Sequence, residues 1–242
     1  MITLLIQLIS AHLFGDFIFQ TDRLCKMKYS DNLTTRLSGL TIHSGIQALL
    51  SYLFIAKWTL WSVPLSIFTC HFIIDFVKVR WGGKKLSSFI IDQCAHYMVI
   101  VGIWWILILK GNYLNAFTTF QSFSFWVILT SYIAVLSPTS ILIKLFIEHE
   151  GWIPNGATLQ GLPNAGKWIG FLERILIITF IFTNNVGGIG FLLAAKSIFR
   201  FGELNHARDL KLTEYVLIGT LVSFTIAIVI GFGAKWLMEI IK

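Results

Sequence analysis

The chain has 242 residues, of which 56% are hydrophobic and 13% charged, with a formal net charge of +7. Soluble domains carry about 25% charged residues, so this composition excludes an ordinary soluble domain and predicts an integral membrane protein. The basic residues lie in short loops beside apolar stretches, as the positive-inside rule predicts, so the positive charge does not indicate nucleic-acid binding.

Apolar stretches long enough to cross a bilayer, which takes about 20 residues, recur along the whole chain. They predict an all-α, polytopic bundle of seven to eight transmembrane helices. The predicted spans are 2–19, 37–55, 59–78, 87–109, 123–146, 167–184, 187–201 and 215–238, of which the seventh is short. We interpret the first as a retained helix rather than a signal peptide, because it lacks a basic start and contains His12 and Asp16.

The charge of the loops predicts the orientation of these helices. Lysine and arginine concentrate in the odd-numbered loops, for example Arg23, Lys26 and Lys28 after the first span. The odd-numbered loops are therefore predicted to be cytoplasmic and both termini to lie outside. We divide the chain into a four-helix half rich in histidine and aspartate, 1–110, and a second half, 111–242. The similar segments AHLFGDF and CHFIIDF suggest that the first half is a duplicated hairpin.

Seven ionisable residues lie inside apolar segments of the first half, where such groups usually mark a functional site. They are His12, Asp16, His43, His71, Asp75, Asp92 and His96. Six of them form pairs spaced i, i+4, which places both members on one helix face. The predicted orientation puts all seven near the cytoplasmic leaflet. Imidazole and carboxylate ligands suit a divalent metal such as zinc, manganese or iron, and Asp75 and Asp92 are the candidate catalytic bases. Pairing that merely holds helices together is the alternative.

A second charged set lies in the back half. Arg174, Lys196 and Arg200 are predicted to face the same leaflet and could bind a lipid phosphate or another anionic headgroup. The alternative is that the charged residues of this half form ion pairs, while Lys196 and Arg200 extend toward water.

Several motifs together carry a family resemblance. The front half contains HLFGDFIFQ, HSGIQ, HFIIDFVK and DQCAH, and the back half contains AGKWIGFLERILI, AAKSIFRFGEL and EYVLIGTLVSF. This pattern resembles the bacterial membrane-protein family called domain of unknown function 3307. The resemblance implies a polytopic protein of the bacterial inner membrane and supplies no activity. A looser similarity, of residue type only, links the chain to membrane proteins labelled metal-dependent hydrolases.

Three functions are consistent with these features. The first is a hydrolase-like, metal-dependent membrane enzyme that acts on a lipid-linked or phosphate-containing substrate, with the bilayer and anionic lipids as its partners. The second is a proton- or cation-coupled transporter that uses the histidines and aspartates as a relay. The third is a non-enzymatic scaffold or sensor with a structural polar core.

Overall fold

The structure is a computed structural model that describes residues 2–83, 85–109, 122–152, 164–201 and 208–241, without the side chains of 199–201 and 208–213. The described residues form helices and contain no strand. The chain divides into two compact units, Met1–Thr130 and Ser131–Lys242, which are taken separately below.

The first unit is built from four long helices and one short one. The helices are α1 (Ile2–Phe17), α2 (Asp22–Lys28), α3 (Leu33–Ile55), α4 (Ser62–Val77), which continues into a π-helical turn (Lys78–Gly82), and α5 (Leu86–Leu109). α3 packs on α1, α2 and α4, and α5 packs on α1 and α4. Apolar side chains such as Leu8, Val63 and Ile100 form the core of this bundle. The bundle therefore brings α1, α3, α4 and α5 around one axis.

The short helix α2 turns sharply away from α1. The two helices are bent by 86° relative to one another. The Thr21 hydroxyl accepts a hydrogen bond from the Leu24 amide at 3.3 Å and so caps the start of α2. Its buried residues, Leu24 and Lys28, are four positions apart and face the bundle. α2 thus lies across the end of the unit at which α1 ends and α3 begins.

The second unit contains the end of α6 (Phe123–Val135) and the helices α7 (Ser137–His149), α8 (Ala165–Phe182), α9 (Gly187–Phe201) and α10 (Arg208–Ile240). α6 and α7 together form one apolar segment that is interrupted at Leu136. α8 packs on α9 and α10, around Ile177, Ile178 and Ile181, all of which are fully buried. This core is separate from that of the first unit.

Fewer helices qualify as membrane spans than the eight that the sequence predicts. Among the described residues, four segments are long and apolar enough to cross a membrane: Ser62–Gly82, Leu86–Leu109, Phe123–His149 and Glu214–Ile240. A fifth is obtained if α1 and α2 count as one broken span. α3 is long enough, but His43, Gln47 and its serines make it more polar. α8 carries Lys167, Glu173 and Arg174, and α9 is short.

Candidate functional site

The seven histidines and aspartates predicted from the sequence converge in the first unit. α1 supplies His12 and Asp16, α3 supplies His43, α4 supplies His71 and Asp75, and α5 supplies Asp92 and His96. Each histidine is at most 4% exposed, so the bundle shields the cluster from water and lipid. The i, i+4 spacing explains most of the convergence, because α1, α4 and α5 each direct two ionisable side chains to the same axis, to which α3 adds His43. We call these seven residues the His/Asp cluster.

The centre of the His/Asp cluster is the contact between His43 and His71. Their Nε2 atoms lie 3.0 Å apart. The Oδ1 atom of Asp16 lies 3.2 Å from His43 Nε2 and 3.5 Å from His71 Nε2. The Oδ2 atom of Asp75 lies 3.5 Å and 3.6 Å from the same two nitrogens. Two imidazoles and two carboxylates from three helices therefore meet at one point.

His96 and Asp92 extend this centre on the side of α5. His96 Nε2 lies 3.5 Å from Asp92 Oδ1 and 3.7 Å from Asp75 Oδ1. The ring of His96 stacks on that of His71 at a centroid distance of 4.0 Å, and the His12 ring follows at 4.9 Å from His96. Three overlapping groups of donor atoms are close enough to share a metal ion. They are His12, His71 and His96; Asp16, His43 and His71; and Asp16, Asp92 and His96.

A small cavity adjoins the imidazoles on the side away from the carboxylates. Its volume of about 10 Å³ has room for about one water molecule. His12, His71 and His96 line it together with Gln47 and Ser51, and apolar residues such as Leu8 complete its lining. The cluster thus has a small cavity next to three of its histidines.

Two glutamines that sequence reasoning missed hold the aspartates in place. The Gln47 amide donates to Asp16 Oδ1 at 2.5 Å, and the Gln93 amide donates to Asp16 Oδ2 and to Asp92 Oδ2, both at 3.2 Å. Gly15 makes room for Gln47, because a Cβ atom at position 15 would lie 2.3 Å from that amide nitrogen. The sequence could have indicated Gln47, because it lies four residues after His43 and therefore on the same face of the helix.

Two lysines contact the aspartates of the His/Asp cluster. Lys28 Nζ lies 2.5 Å from Asp75 Oδ2 and 3.2 Å from Gln20 Oε1, and Lys78 Nζ lies 2.6 Å from Asp92 Oδ2. Lys28 is 4% exposed, although the sequence alone places it among the basic residues of a loop. Lys28 lies four residues after the apolar Leu24, and this spacing could have indicated that both side chains face inward.

The charged residues of the back half have a different environment. Arg174 donates to the carbonyl oxygens of Val135 and Leu136 and to the hydroxyls of Ser140 and Ser223. Lys196 forms an ion pair with Glu173 at 2.7 Å. The side chain of Arg200 lies outside the described residues. The predicted anion-binding role of Arg174, Lys196 and Arg200 therefore stays a prediction, and the first two have protein partners in this structure.

Comparison with known proteins identifies the family to which the chain belongs. Searches of curated proteins and of solved structures found no match. Residues 4–125 match the family described as "Protein of unknown function (DUF3307)". This match covers half of the chain and includes the whole His/Asp cluster. The chain therefore belongs to the DUF3307 family.

Proposed function

We propose that the His/Asp cluster binds a divalent metal, zinc, manganese or iron, and that the protein is a metal-dependent membrane hydrolase. Its substrate would be lipid-linked or contain a phosphate, and the bacterial inner membrane is the proposed location. The donor set supports this proposal, because imidazole and carboxylate groups together suit these ions. All seven donors come from four packed helices, which gives a fixed geometry.

The spacing of the donor atoms is the observation that carries the proposal. Six nitrogen–oxygen pairs in the cluster lie 3.5–3.7 Å apart. Such distances are too long for good hydrogen bonds, which end near 3.2 Å. Two ligands of one tetrahedral zinc ion, each bonded at about 2.0–2.1 Å, are about 3.3 Å apart. The separations therefore resemble those of ligands around a common ion more than those of direct partners.

Two buried atoms without a hydrogen-bond partner support the same conclusion. His96 Nε2 and Asp92 Oδ1 are buried, face each other at 3.5 Å and have no hydrogen-bond partner in the described part of the chain. A buried polar atom left without a partner costs about 1–3 kcal/mol. A metal ion held by His96 and the other histidines, with a bound water that donates to Asp92 Oδ1, would satisfy both atoms.

The chemistry of hydrolysis fits these groups. A metal in this set would supply a nucleophilic water of lowered pKa and would polarise a phosphoryl or carbonyl oxygen. Asp92 is the better placed of the two candidate bases, because Oδ2 accepts from Lys78 and Gln93 while Oδ1 faces the site. During hydrolysis of a phosphate ester, the oxygen of water bonds to phosphorus, the ester bond breaks, and the proton passes through the base to the alcohol.

The basic residues around the carboxylates support a cytoplasmic position for this end of the first unit. Arg23, Lys26, Arg80 and Lys85 are exposed at the end of the first unit where α2 and the π-helical turn lie. Basic residues beside apolar spans favour the cytoplasmic side. This supports a site that opens near the cytoplasmic leaflet and meets anionic headgroups.

Phosphate release from a lipid phosphate tests the activity. Purified protein loaded with zinc, manganese or iron is expected to release phosphate from phosphatidic acid in mixed micelles, and chelation should stop the reaction. Asp92→Asn should lower the rate at least about 100-fold, since a general base contributes about 10²–10⁴. Asp31→Asn, an exposed change outside the cluster, is the matched control. Equal rates for the two variants would contradict the role of Asp92.

Proton handling is the second candidate. Two Nε2 atoms 3.0 Å apart, as in His43 and His71, form a hydrogen bond only if one carries a proton and the other does not. Chains of histidine and aspartate carry protons in many transporters. Proteoliposomes with pH-coupled flux that Asp75→Asn abolishes would favour this function, and flux unaffected by that variant would argue against it.

A further inference from the structure

The carboxylate of Asp16 lies between two pairs of histidines. Its Oδ1 atom is 3.2 Å from His43 Nε2 and 3.5 Å from His71 Nε2, whereas its Oδ2 atom is 3.7 Å from His12 Nε2. It also belongs to two sets of donor atoms that are close enough to share an ion, one with His43 and His71 and one that includes His96. We call His43 and His71 the α3–α4 pair, and His12 and His96, whose ring centroids are 4.9 Å apart, the α1–α5 pair. Asp16 therefore offers one oxygen to each pair.

Asp75 connects the same two pairs from α4. Its Oδ2 atom is 3.5 Å from His43 Nε2 and 3.6 Å from His71 Nε2, and its Oδ1 atom is 3.7 Å from His96 Nε2. Lys28 donates to Oδ2 at 2.5 Å, but a carboxylate has about four lone-pair sites. The ion pair with Lys28 therefore leaves Oδ1 and a second lone pair of Oδ2 for a cation. Both aspartates can thus bridge two ions, one beside each histidine pair.

The histidine rings are directed at two positions rather than one. The rings of His71 and His96 stack with centroids 4.0 Å apart and planes 22° from parallel. Their Nε2 atoms face the two oxygens of a single carboxylate, that of Asp75. An imidazole binds an ion along its nitrogen lone pair, which lies in the ring plane, at about 2.0–2.1 Å. Two nearly parallel rings therefore direct their lone pairs to positions roughly 4 Å apart, and paired ions in two-metal sites are about 3.5–4 Å apart.

The similar segments of the sequence divide the donors in the same way. AHLFGDF on α1 and CHFIIDF on α4 each supply one histidine and one aspartate. The next long helix after each segment adds a histidine, His43 on α3 and His96 on α5. Each histidine pair therefore takes one member from each copy, and each copy supplies one bridging aspartate. A repeated donor set predicts a repeated ion position at the interface between the copies, where membrane proteins with internal repeats hold their ions.

We propose that the His/Asp cluster holds two divalent ions, one on each histidine pair, and that Asp16 and Asp75 bridge them. This inference rests on the proposed function and extends its metal site from one ion to two. The three aspartates and two lysines give a single net negative charge when the imidazoles are neutral. Two divalent ions leave an excess of positive charge, which suits the phosphate-containing substrate of the proposed function, because paired cations hold a phosphate from both sides.

Electron paramagnetic resonance of the manganese-loaded wild type tests the number of ions without any substitution. Detergent-purified protein is titrated with Mn²⁺, and the metal that stays bound after removal of excess is measured in the same samples. Two Mn²⁺ ions that share carboxylate bridges are exchange-coupled, so their spectrum is broader and more finely split than that of an isolated ion. We expect a coupled spectrum and about two equivalents at saturation. Samples loaded with zinc or iron should also reach about two equivalents by elemental analysis.

Variants of either histidine pair provide a second measurement. His12→Ala removes a ligand of the α1–α5 pair, and His43→Ala removes a ligand of the α3–α4 pair. Each variant that keeps the circular dichroism spectrum of the wild type should bind about one manganese ion and give the spectrum of an isolated ion. His149→Ala, an exposed change in α7, is the control and should keep two coupled ions.

The outcomes separate the number of ions from the hydrolytic activity. One equivalent of manganese with the spectrum of an isolated ion, in a wild type that still hydrolyses a phosphate ester, would overturn the two-ion centre and leave the proposed function standing. Two coupled ions in a protein that releases no phosphate would support the two-ion centre and contradict the hydrolase. A second ion that shows no coupling, or that both His12→Ala and His43→Ala retain, would overturn the proposal, because that ion would lie outside the cluster. Folded protein that binds no metal would overturn both.

Discussion

Lys28 and Asp75 are both almost fully buried, at 4% and 2% exposed, so water cannot compensate either charge if its partner is lost. Removal of one member of a buried ion pair typically costs about 3–5 kcal/mol. We therefore expect Lys28→Met to lower the free energy of unfolding by about 3 kcal/mol or more, measured by denaturant titration in detergent. Lys26→Met, an exposed change on the same helix, should alter it by less than about 0.5 kcal/mol.

The double variant Lys28→Met/Asp75→Asn distinguishes an ion pair from simple packing. Since it removes both charges, it should recover part of the stability that Lys28→Met loses. If the double variant instead loses the sum of what Lys28→Met and Asp75→Asn lose separately, the contact between Lys28 and Asp75 does not contribute to stability. The ion pair would then not be what holds Lys28 against the aspartates.

At the residue scale, the pairs spaced i, i+4 identified six of the seven residues of the cluster, and His43 was identified as an ionisable residue inside an apolar segment. Helical periodicity alone puts His71 and Asp75 on one face, and an ionisable group in an apolar helix must face a polar interior. Gln93 and Lys28 were missed for a physical reason. Their contacts to Asp16 and Asp75 join distant parts of the chain, and nothing in a single sequence reports which helices meet.

Gly39 fixes the position of α2, the element that carries Lys28. A Cβ atom at position 39 would lie 2.8 Å from the Lys28 backbone nitrogen and 2.8 Å from Met27 Cβ. Gly39→Ala should therefore displace α2 from α3 and lower stability by about 1–3 kcal/mol, measured by thermal or denaturant unfolding. Gly45→Ala lies on the same helix with nothing within 4 Å of the added Cβ, and should be neutral or stabilising by up to about 1 kcal/mol. Equal effects at the two positions would show that the close packing of α2 at Gly39 is unimportant.

Arg174 supports the interrupted helix of the second unit. The break at Leu136 and the proline that follows it, Pro138, free backbone carbonyls that membrane helices cannot leave unpaired. Arg174 donates to the carbonyls of Val135 and Leu136, and Thr139 donates to that of Ala134 at 2.7 Å. The guanidinium thus replaces the missing helical hydrogen bond of Val135, whereas the Leu136 carbonyl also accepts from the Ser140 amide at 3.1 Å.

Substitution of Arg174 should destabilise the second unit. Arg174→Met removes the guanidinium donor of the Val135 carbonyl and should cost about 1–3 kcal/mol in unfolding experiments. Lys167→Met removes a positive charge from the exposed start of the same helix and is expected to cost less than about 0.5 kcal/mol. A stable Arg174→Met protein would show that Arg174 is available for another task, such as the anion binding predicted from the sequence.

At the scale of the whole molecule, composition predicted the all-α fold and the membrane class. The number of spans was harder to predict. α3 is enriched in polar residues because it lines the His/Asp cluster, and α1 ends after 16 residues where the chain bends into α2. Polar residues that face the interior, and bends between helices, depend on how the bundle packs. A count from hydropathy alone therefore gives more membrane-spanning helices than the structure supports.

The predicted orientation can be tested by cysteine labelling. In a variant with Cys25, Cys70 and Cys94 replaced by alanine, a cysteine at Trp58 should react with a membrane-impermeant maleimide on intact cells. A cysteine at Asp31 should react only after permeabilisation, because it lies in the first basic loop, which the positive-inside rule places in the cytoplasm. Both positions are exposed, so access rather than burial decides the result. The reverse pattern would place the carboxylate end of the cluster outside.

The metal content of the purified protein tests the central claim most directly. Elemental analysis of the wild type, His71→Ala and His149→Ala, after loading with zinc, manganese or iron and removal of excess, compares a residue at the centre of the cluster with an exposed histidine. We expect about one or two equivalents of metal in the wild type and in His149→Ala, and a loss of at least half in His71→Ala. Folded wild-type protein without metal, or equal metal in all three proteins, would contradict a metal centre and favour a proton relay or a structural polar core.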